Sequence, residues 1–275
     1  MGCLGIATLG GGNGLVMNAG GLTPMLGLYP ALETPVGRWQ RQLRENTGRG
    51  VKIGILDTGV ADRLAILRGA IRTHHTVADN GRLVRNWQGD DVLGHGTACA
   101  WVLKNLVPDA ELHQVRIFGR SLREPGEKLL AGLDFAIDQG WDIINVSLGT
   151  AGFRDELFDL AARAADRGIV IVAAAHNEAG RRSFPAELPN VIGVDAAFFD
   201  SPLGFRYQPD RPIEVEANGI YVRAPWPNGR FSHFTGSSFA CPHLSAIVAR
   251  LGQGRTGEIA VRLRTQLEAL SQERD

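Results

Sequence analysis

Trp141–Ala175 reads WDIINVSLGTAGFRDELFDLAARAADRGIVIVAAA, and this stretch decides the fold. Trp141–Leu148 is a short apolar run of strand length. Asp155–Arg167 (DELFDLAARAADR) spaces its apolar residues as one face of a helix does, and Gly168 stops it. Ile169–Ala175 (IVIVAAA) is apolar without alternation, which suits a strand covered on both faces. Strand, helix and strand in this succession make a crossover unit, whose two strands lie parallel.

The same rhythm extends in both directions. Pro35–Asn46 has the pattern of a short helix, and Val51–Leu56 (VKIGIL) that of a buried strand ending at Asp57. A helix opens at His95 and closes near Pro108, and Glu111–Ile117 follows as a strand. Glu127–Gln139 is a helix ending at Gly140, and Val191–Ala196 is a further strand. From 198 to 232 the text turns to Pro, Gly and aromatic residues, the composition of surface loops and edge strands. Ser238–Leu251 reads as a helix; Pro242 is tolerated in its first turns because the early amides lack intrahelical partners. The fold class is therefore α/β, a parallel β-sheet with helices on both faces. The expected organisation is a glycine-rich tail over 1–34, whose one charged residue is Glu33, and one domain over 35–275.

At 275 residues and 44% hydrophobic the chain can bury a large core. Lys+Arg and Asp+Glu balance at 29 each, so no net field points to nucleic acid or an anionic membrane. Cys3, Cys99 and Cys241 are few, odd in number and far apart, which argues against a disulfide framework or a zinc cluster and for a reducing compartment. Residues 1–30 hold nine glycines and no charge; the GGGNG at 10–14 interrupts the apolar run that a secretion signal needs. No segment is long enough to span a membrane. The expected location is the cytoplasm.

Four glycine- or strand-bounded segments carry chemistry. Asp57 ends a strand in DTG, where open parallel sheets place reactive groups. His95 lies between two glycines in GHGT at a helix start, and an ordinary histidine pKa near 6.5 suits proton transfer at neutral pH. Ser238 in GSSFACP opens another helix, whose exposed N–H groups and dipole favour a developing oxyanion. Asn177 follows a strand, where its amide can donate to that oxyanion beside the Ser238 N–H. The pattern points to acyl transfer: a serine nucleophile, a histidine base and an aspartate that fixes the imidazole.

VKIGILDTGV, GHGTACA, INVSLG, VAAAHNE and GSSFACPHLSA together resemble the corresponding blocks of the subtilisin-like serine proteases, from roughly Pro35 to Leu251. The resemblance implies a subtilisin-like three-layer α/β/α fold and a serine endopeptidase with Asp57, His95, Ser238 and the oxyanion Asn177 as catalytic groups. It also implies an extended peptide as partner, paired to Ser147, Leu148 and Gly149 as an added strand, with Ala174, Ala175 and His176 beside it. The lack of a recognisable leader and the compact size suggest an intracellular protease that matures precursor peptides. The alternative is a weak or inactive homologue that only binds peptides.

Several residues depart from the family pattern. His176 stands where glycine is usual; it narrows the pocket, displaces Asn177 or turns to solvent. Arg181 and Arg182, close to Phe184-Pro185, would favour an acidic substrate residue if they reach that pocket. Cys99, one helical turn after His95, resembles the free cysteine of the proteinase K-like branch. Lys104–Asp109 is short where many relatives carry a calcium loop, and no carboxylate cluster has calcium spacing elsewhere, so no metal or other cofactor is expected.

Overall fold

The computed structural model describes residues 34–119, 126–178, 180–254 and 259–272. The chain divides between Pro35 and Val36 into two units. The first, which holds the expected tail, lies outside the described residues except at its end. The second carries the sheet, its helices and the chemistry-bearing segments.

One sheet of nine strands organises this second unit. Its body is β1 (Lys52–Asp57), β2 (Ile71–Val77), β4 (Glu111–Arg116), β5 (Ile143–Val146), β6 (Val170–Ala174), β7 (Val191–Ala197) and β9 (Val215–Asn218). β3 (Leu83–Asn86) and β8 (Phe205–Tyr207) form its rims. The spatial order is β3-β2-β4-β1-β5-β6-β7-β9-β8. All neighbours are parallel except the two outermost pairs, β2–β3 and β8–β9.

Helices cover both faces, as the sequence predicts. Alternation along β1 sends Ile53 and Ile55 to one core and Leu56 to the other. The first core is closed by α1 (Pro35–Glu45), α2 (His95–Leu106), α5 (Ser237–Gly252) and α6 (Ile259–Gln272), through residues such as Leu43, Leu103, Ile247 and Leu267. The second is closed by α3 (Gly126–Asp138) and α4 (Asp155–Asp166), through Leu133, Ile137, Leu157 and Ala161. A separate hairpin, β10 (Val222–Pro225) and β11 (Phe231–Phe234), packs on α2. Among the described residues no helix is long and apolar enough to cross a membrane.

Element bounds differ from the sequence pattern for physical reasons. The run Trp141–Leu148 contains a strand of only Ile143–Val146. Trp141 leaves the ladder to stack on His113, with ring centroids 4.8 Å apart. β2 escapes the pattern because it carries histidines on both faces, His74 buried and His75 half-buried. His74 Nε2 meets Asp62 Oδ2 at 2.8 Å, while the His75 ring packs on Phe135.

The far ends of two helices are clasped together. Arg250, near the end of α5, donates from Nε and Nη2 to the Leu106 carbonyl at the end of α2 (2.9 and 2.6 Å). Its Nη1 donates to Leu43 O at 2.7 Å. Gln253 Oε1 accepts the backbone N–H groups of Thr47, Gly48 and Arg49 at 2.9, 2.9 and 3.0 Å.

The chain moves from β1 to one side for β2 and β4, then crosses to β5, β6 and β7 on the other. In such sheets a crevice opens at the carboxyl ends of the strands where the order reverses. Asp57, the last residue of β1, ends at that crevice.

Candidate active site

Asp57 is 1% exposed, and its carboxylate is fully engaged. Oδ1 accepts the Thr58 N–H at 2.7 Å. His95 Nδ1 lies 2.8 Å from Oδ1 and 3.0 Å from Oδ2. A carboxylate on Nδ1 places the proton there and leaves Nε2 as the basic nitrogen. Burial alone would lower the imidazole pKa; the Asp57 carboxylate and the Cys99 thiol beside it outweigh burial and hold it well above its ordinary value.

Both glycines around His95 are required. Gly94, the N-cap of α2, has φ 89°, and a side chain there would run into the Trp226 ring. A methyl group on Gly96 would overlap Gly59 O and press on Asp57. The GHG spelling is thus a packing demand that brings α2 against the end of β1.

Ser238 sits in the first turn of α5, with its carbonyl turned toward α2. That carbonyl has no helical donor, because residue 242 is proline. The Cys99 Sγ lies 3.6 Å from it and 3.9 Å from His95 Nδ1. Burial pushes the thiol pKa up, so it remains an S–H that can donate. The expected free cysteine therefore bridges the helix of His95 and the helix of Ser238.

Asn177 is oriented by Ser237. The Ser237 backbone N–H donates to Asn177 Oδ1 at 3.1 Å, and the Ser237 hydroxyl donates to Ala175 O at 2.6 Å. With its oxygen fixed by an N–H donor, the amide presents Nδ2, which has no hydrogen-bond partner among the described residues. His176 does not displace it. Its Nδ1 accepts the Glu178 N–H at 3.1 Å, so the ring folds on its own loop.

His95, Ser147, Leu148, Gly149, Ala174, Ala175, His176, Asn177 and Ser238 all line one cleft of about 460 Å³. The sites read from sequence therefore meet at one place. The two arginines read as candidates for an acidic substrate residue meet carboxylates on their own loop. Arg181 pairs with Glu178 at 2.9 Å, and Arg182 pairs with Glu187 at 2.5 Å while lying over the Phe184 ring. Neither arginine lines the cleft that holds Ser238 and Asn177; both lie at a separate hollow with Glu187 and Asp195. Among the described residues, one group has metal-ligand atoms gathered within 4.8 Å: Asp57, His95 and Cys99. A metal bound there would occupy the nitrogen that Asp57 holds, so it would compete with proton transfer.

Two supports have no motif of their own. The His95 ring packs on Phe239 (5.3 Å between centroids), which stacks on Phe234 (5.2 Å), which stacks on Trp226 (4.9 Å). Asp91, 1% exposed, accepts five hydrogen bonds. They come from Thr58 Oγ1 (2.8 Å), the N–H groups of Leu93 (3.1 Å), Gly94 (2.7 Å) and Thr97 (2.9 Å), and Thr97 Oγ1 (2.6 Å). It ties the residue after Asp57 to the turn that carries His95. Asp91→Ala should lower stability by about 3 kcal/mol or more, since several buried donors lose their acceptor. It should also lower kcat roughly a hundredfold with little change in KM, because His95 loses its position and the substrate contacts do not. Asp91→Asn should recover part of both. Thermal melts and steady-state kinetics check this, and an unchanged kcat in a destabilised Asp91→Ala would reduce Asp91 to a structural role.

A family model described as the subtilase family matches residues 48–267. "Minor extracellular protease Epr" of Bacillus subtilis (strain 168) is 27% identical over 234 residues, 80% of this chain and 35% of its own length. "M-protease" of Shouchella clausii (strain KSM-K16) is 28% identical over 236 residues, 81% of this chain and 59% of its own. The chain thus spans between a third and three fifths of these two relatives. Among solved structures, "Sphericase" superimposes with a TM-score of 0.70 at 25% identity, covering 81% of this chain and 83% of its own.

Proposed function

The chain belongs to the subtilase family, and from that premise we propose that it is a serine endopeptidase working through Asp57, His95, Ser238 and Asn177. One observation carries the reading: the Asp57-bound imidazole of His95 opens onto the same cleft as Ser238 and Asn177. In the proposed cycle the Ser238 hydroxyl attacks the scissile carbonyl while His95 Nε2 takes its proton. Asp57 stabilises the imidazolium that forms. The carbonyl oxygen becomes an oxyanion held by Asn177 Nδ2 and a backbone N–H at the start of α5. His95 returns the proton to the leaving amine, and water repeats the sequence on the acyl-enzyme. The peptide lies extended along Ser147–Gly149, where backbone past the end of β5 offers hydrogen bonds to an added strand.

We extend the proposal to a restricted set of substrates, precursor peptides trimmed inside the cell. Its support is the altered wall of the cleft, where His176 stands in place of the glycine usual in the family. Digestion of denatured casein at many unrelated sites would contradict this extension. The competing reading, a homologue that only binds peptides, requires His176 to disturb Asn177; the hydrogen bonds of both residues weigh against it. A fluorophosphonate probe tests the endopeptidase reading. It should label the native chain and fail to label Ser238→Ala. A folded native chain that binds peptides without being labelled would favour the binding module.

A further inference from the structure

We infer that the outer face of the β10–β11 hairpin is a docking surface for an acidic segment of the substrate, several residues after the scissile bond. The inference rests on the endopeptidase reading and goes beyond it, because the cationic residues involved lie outside the cleft.

Reaction chemistry and strand geometry together give the direction. The leaving amine takes its proton from His95, so the half of the substrate after the scissile bond leaves the cleft on the His95 side. The hairpin stands there. Its Phe234 stacks on Phe239, which packs on the His95 ring, and its Trp226 fills the space beside Gly94. Side chains alternate along a strand. Val222, Ala224 and Phe234 belong to the inner face, packed with Ala98 and Val102 of α2 and with Phe239. Arg223 and His233 oppose one another in the ladder and are exposed on the outer face. Thr235 continues that face one step past the end of β11, and Thr235 lines the cleft. The outer face therefore leads from the cleft to Arg223.

Tyr221 stands beside this path. Its backbone N–H donates to the Thr235 hydroxyl at 3.2 Å, and its side chain is exposed. Among the described residues it is the single non-glycine with positive φ, 56°. A tyrosine in the left-handed region is costly and persists only where its surroundings hold it. The ring it presents offers apolar contact to a chain emerging past Thr235.

The charge on this face is of one sign. No Asp or Glu occurs between Glu216 and Glu258, nor between Asp91 and Asp109, so the hairpin and α2 beneath it carry no carboxylate. The acids that bound these stretches on the hairpin side and the α2 side are already engaged. Glu216 meets Arg206 and Arg211, Asp91 accepts its five hydrogen bonds, and Asp109 meets Thr47 and Arg49. Arg223 lies over the Phe231 ring at 4.2 Å. Neither Arg223 nor Arg230, exposed at the hairpin's tip, has an ion-pair partner among the described residues. The chain as a whole is neutral, so the excess is local. Two unpaired guanidiniums on a face without carboxylates complement carboxylates in a chain that passes over them.

Reach fixes where those carboxylates sit. His233 stands five residues before Ser238, so their Cα atoms are within about 18 Å. An extended peptide covers that span in roughly five or six residues. An acidic tract that begins about four residues after the cut therefore meets Arg223, and its continuation meets Arg230.

The test extends one peptide, the fastest-cut member of a random library, with a tail of Glu-Glu-Glu, Gln-Gln-Gln or Lys-Lys-Lys placed about four residues after its cut. At about 0.01 M salt the native chain should show a kcat/KM about tenfold higher for the Glu tail than for the Gln tail, expressed in KM, and lowest for the Lys tail. At about 1 M salt the Glu-to-Gln ratio should fall to within about twofold of unity, as screening shortens the reach of the charges. Arg223→Ala combined with Arg230→Ala should bring the low-salt ratio to the same value. Arg223→Gln combined with Arg230→Gln keeps part of each stem in place and should do likewise, which holds the test open if the alanine variant folds poorly. Equal rates for the three tails at low salt, or a Glu preference that survives loss of both arginines, overturns the docking assignment and leaves the endopeptidase reading standing. If no tail is cut and fluorophosphonate does not label the folded chain, both fall.

Discussion

Ser238→Ala is expected to lower kcat by about six orders of magnitude and to leave the melting temperature nearly unchanged. That magnitude was measured in a subtilisin and is carried over by family membership. The contrast between the two readouts follows from local structure. The Ser238 hydroxyl makes no hydrogen bond among the described residues, so its removal leaves no buried group unpaired and costs stability little. The fold of α5 does not depend on it either, because Ser237 ties the start of that helix to Ala175 and Asn177. Residual hydrolysis above the rate in water would come from substrate binding and the oxyanion donors. A variant that retains more than a hundredth of the native kcat would show that the nucleophile lies elsewhere. Single-turnover kinetics on a p-nitroanilide, with circular dichroism as the fold control, decides between these outcomes.

Asp57→Asn is expected to lower kcat by about 10⁴ near neutral pH, through the tautomer of His95. The carboxylate accepts both the His95 Nδ1 proton and the Thr58 N–H. An amide in its place can present its NH₂ to Nδ1, which moves the ring proton to Nε2 and removes the base. The pH profile carries a second signature. Only neutral His95 takes the serine proton, and Asp57 and Cys99 hold the imidazole pKa well above its ordinary value despite burial. Native kcat/KM should therefore rise with pH through a midpoint above about 6.5. In Asp57→Asn that midpoint should move to lower pH. Stability follows the same linkage. A group whose pKa is raised by folding contributes fully below its unfolded value, and the contribution fades as pH climbs through the folded value. The thermal cost of Asp57→Asn should thus be greater at pH 5 than at pH 9. A native activity midpoint below 6 would contradict the charge arrangement around His95.

The segments that meet at the cleft were legible because each is a small residue pattern with a steric cause. GHGT needs Gly94 for Trp226 and a left-handed turn, and Gly96 for Gly59 O. The parallel core was legible because strands buried on both faces are unbroken apolar runs, as IVIVAAA is. β2 was not, since its inward positions are histidines whose partners, Asp62 and Phe135, are remote in sequence or on another element. α6 follows a plain helical period, with Ile259, Leu263, Leu267 and Leu270 buried, and that spacing was a usable signal. Asp91 could not be singled out. It is an aspartate in a polar loop, and only packing shows that it is buried and bridging. The arginines were hard to place for a related reason: sequence proximity to a pocket does not reveal whether a side chain lines it.

The clasp at Arg250 has a bearing on how the protein dies. α2 and α5 begin at His95 and Ser237, so their starts carry the imidazole and the proposed nucleophile, and their far ends are stapled by one guanidinium on Leu106 O. Two rods fixed in front by Cys99 and behind by Arg250 behave as a single lever arm. Heating should then abolish turnover and melt the domain in one step, with no window in which a loosened cleft survives on an intact scaffold.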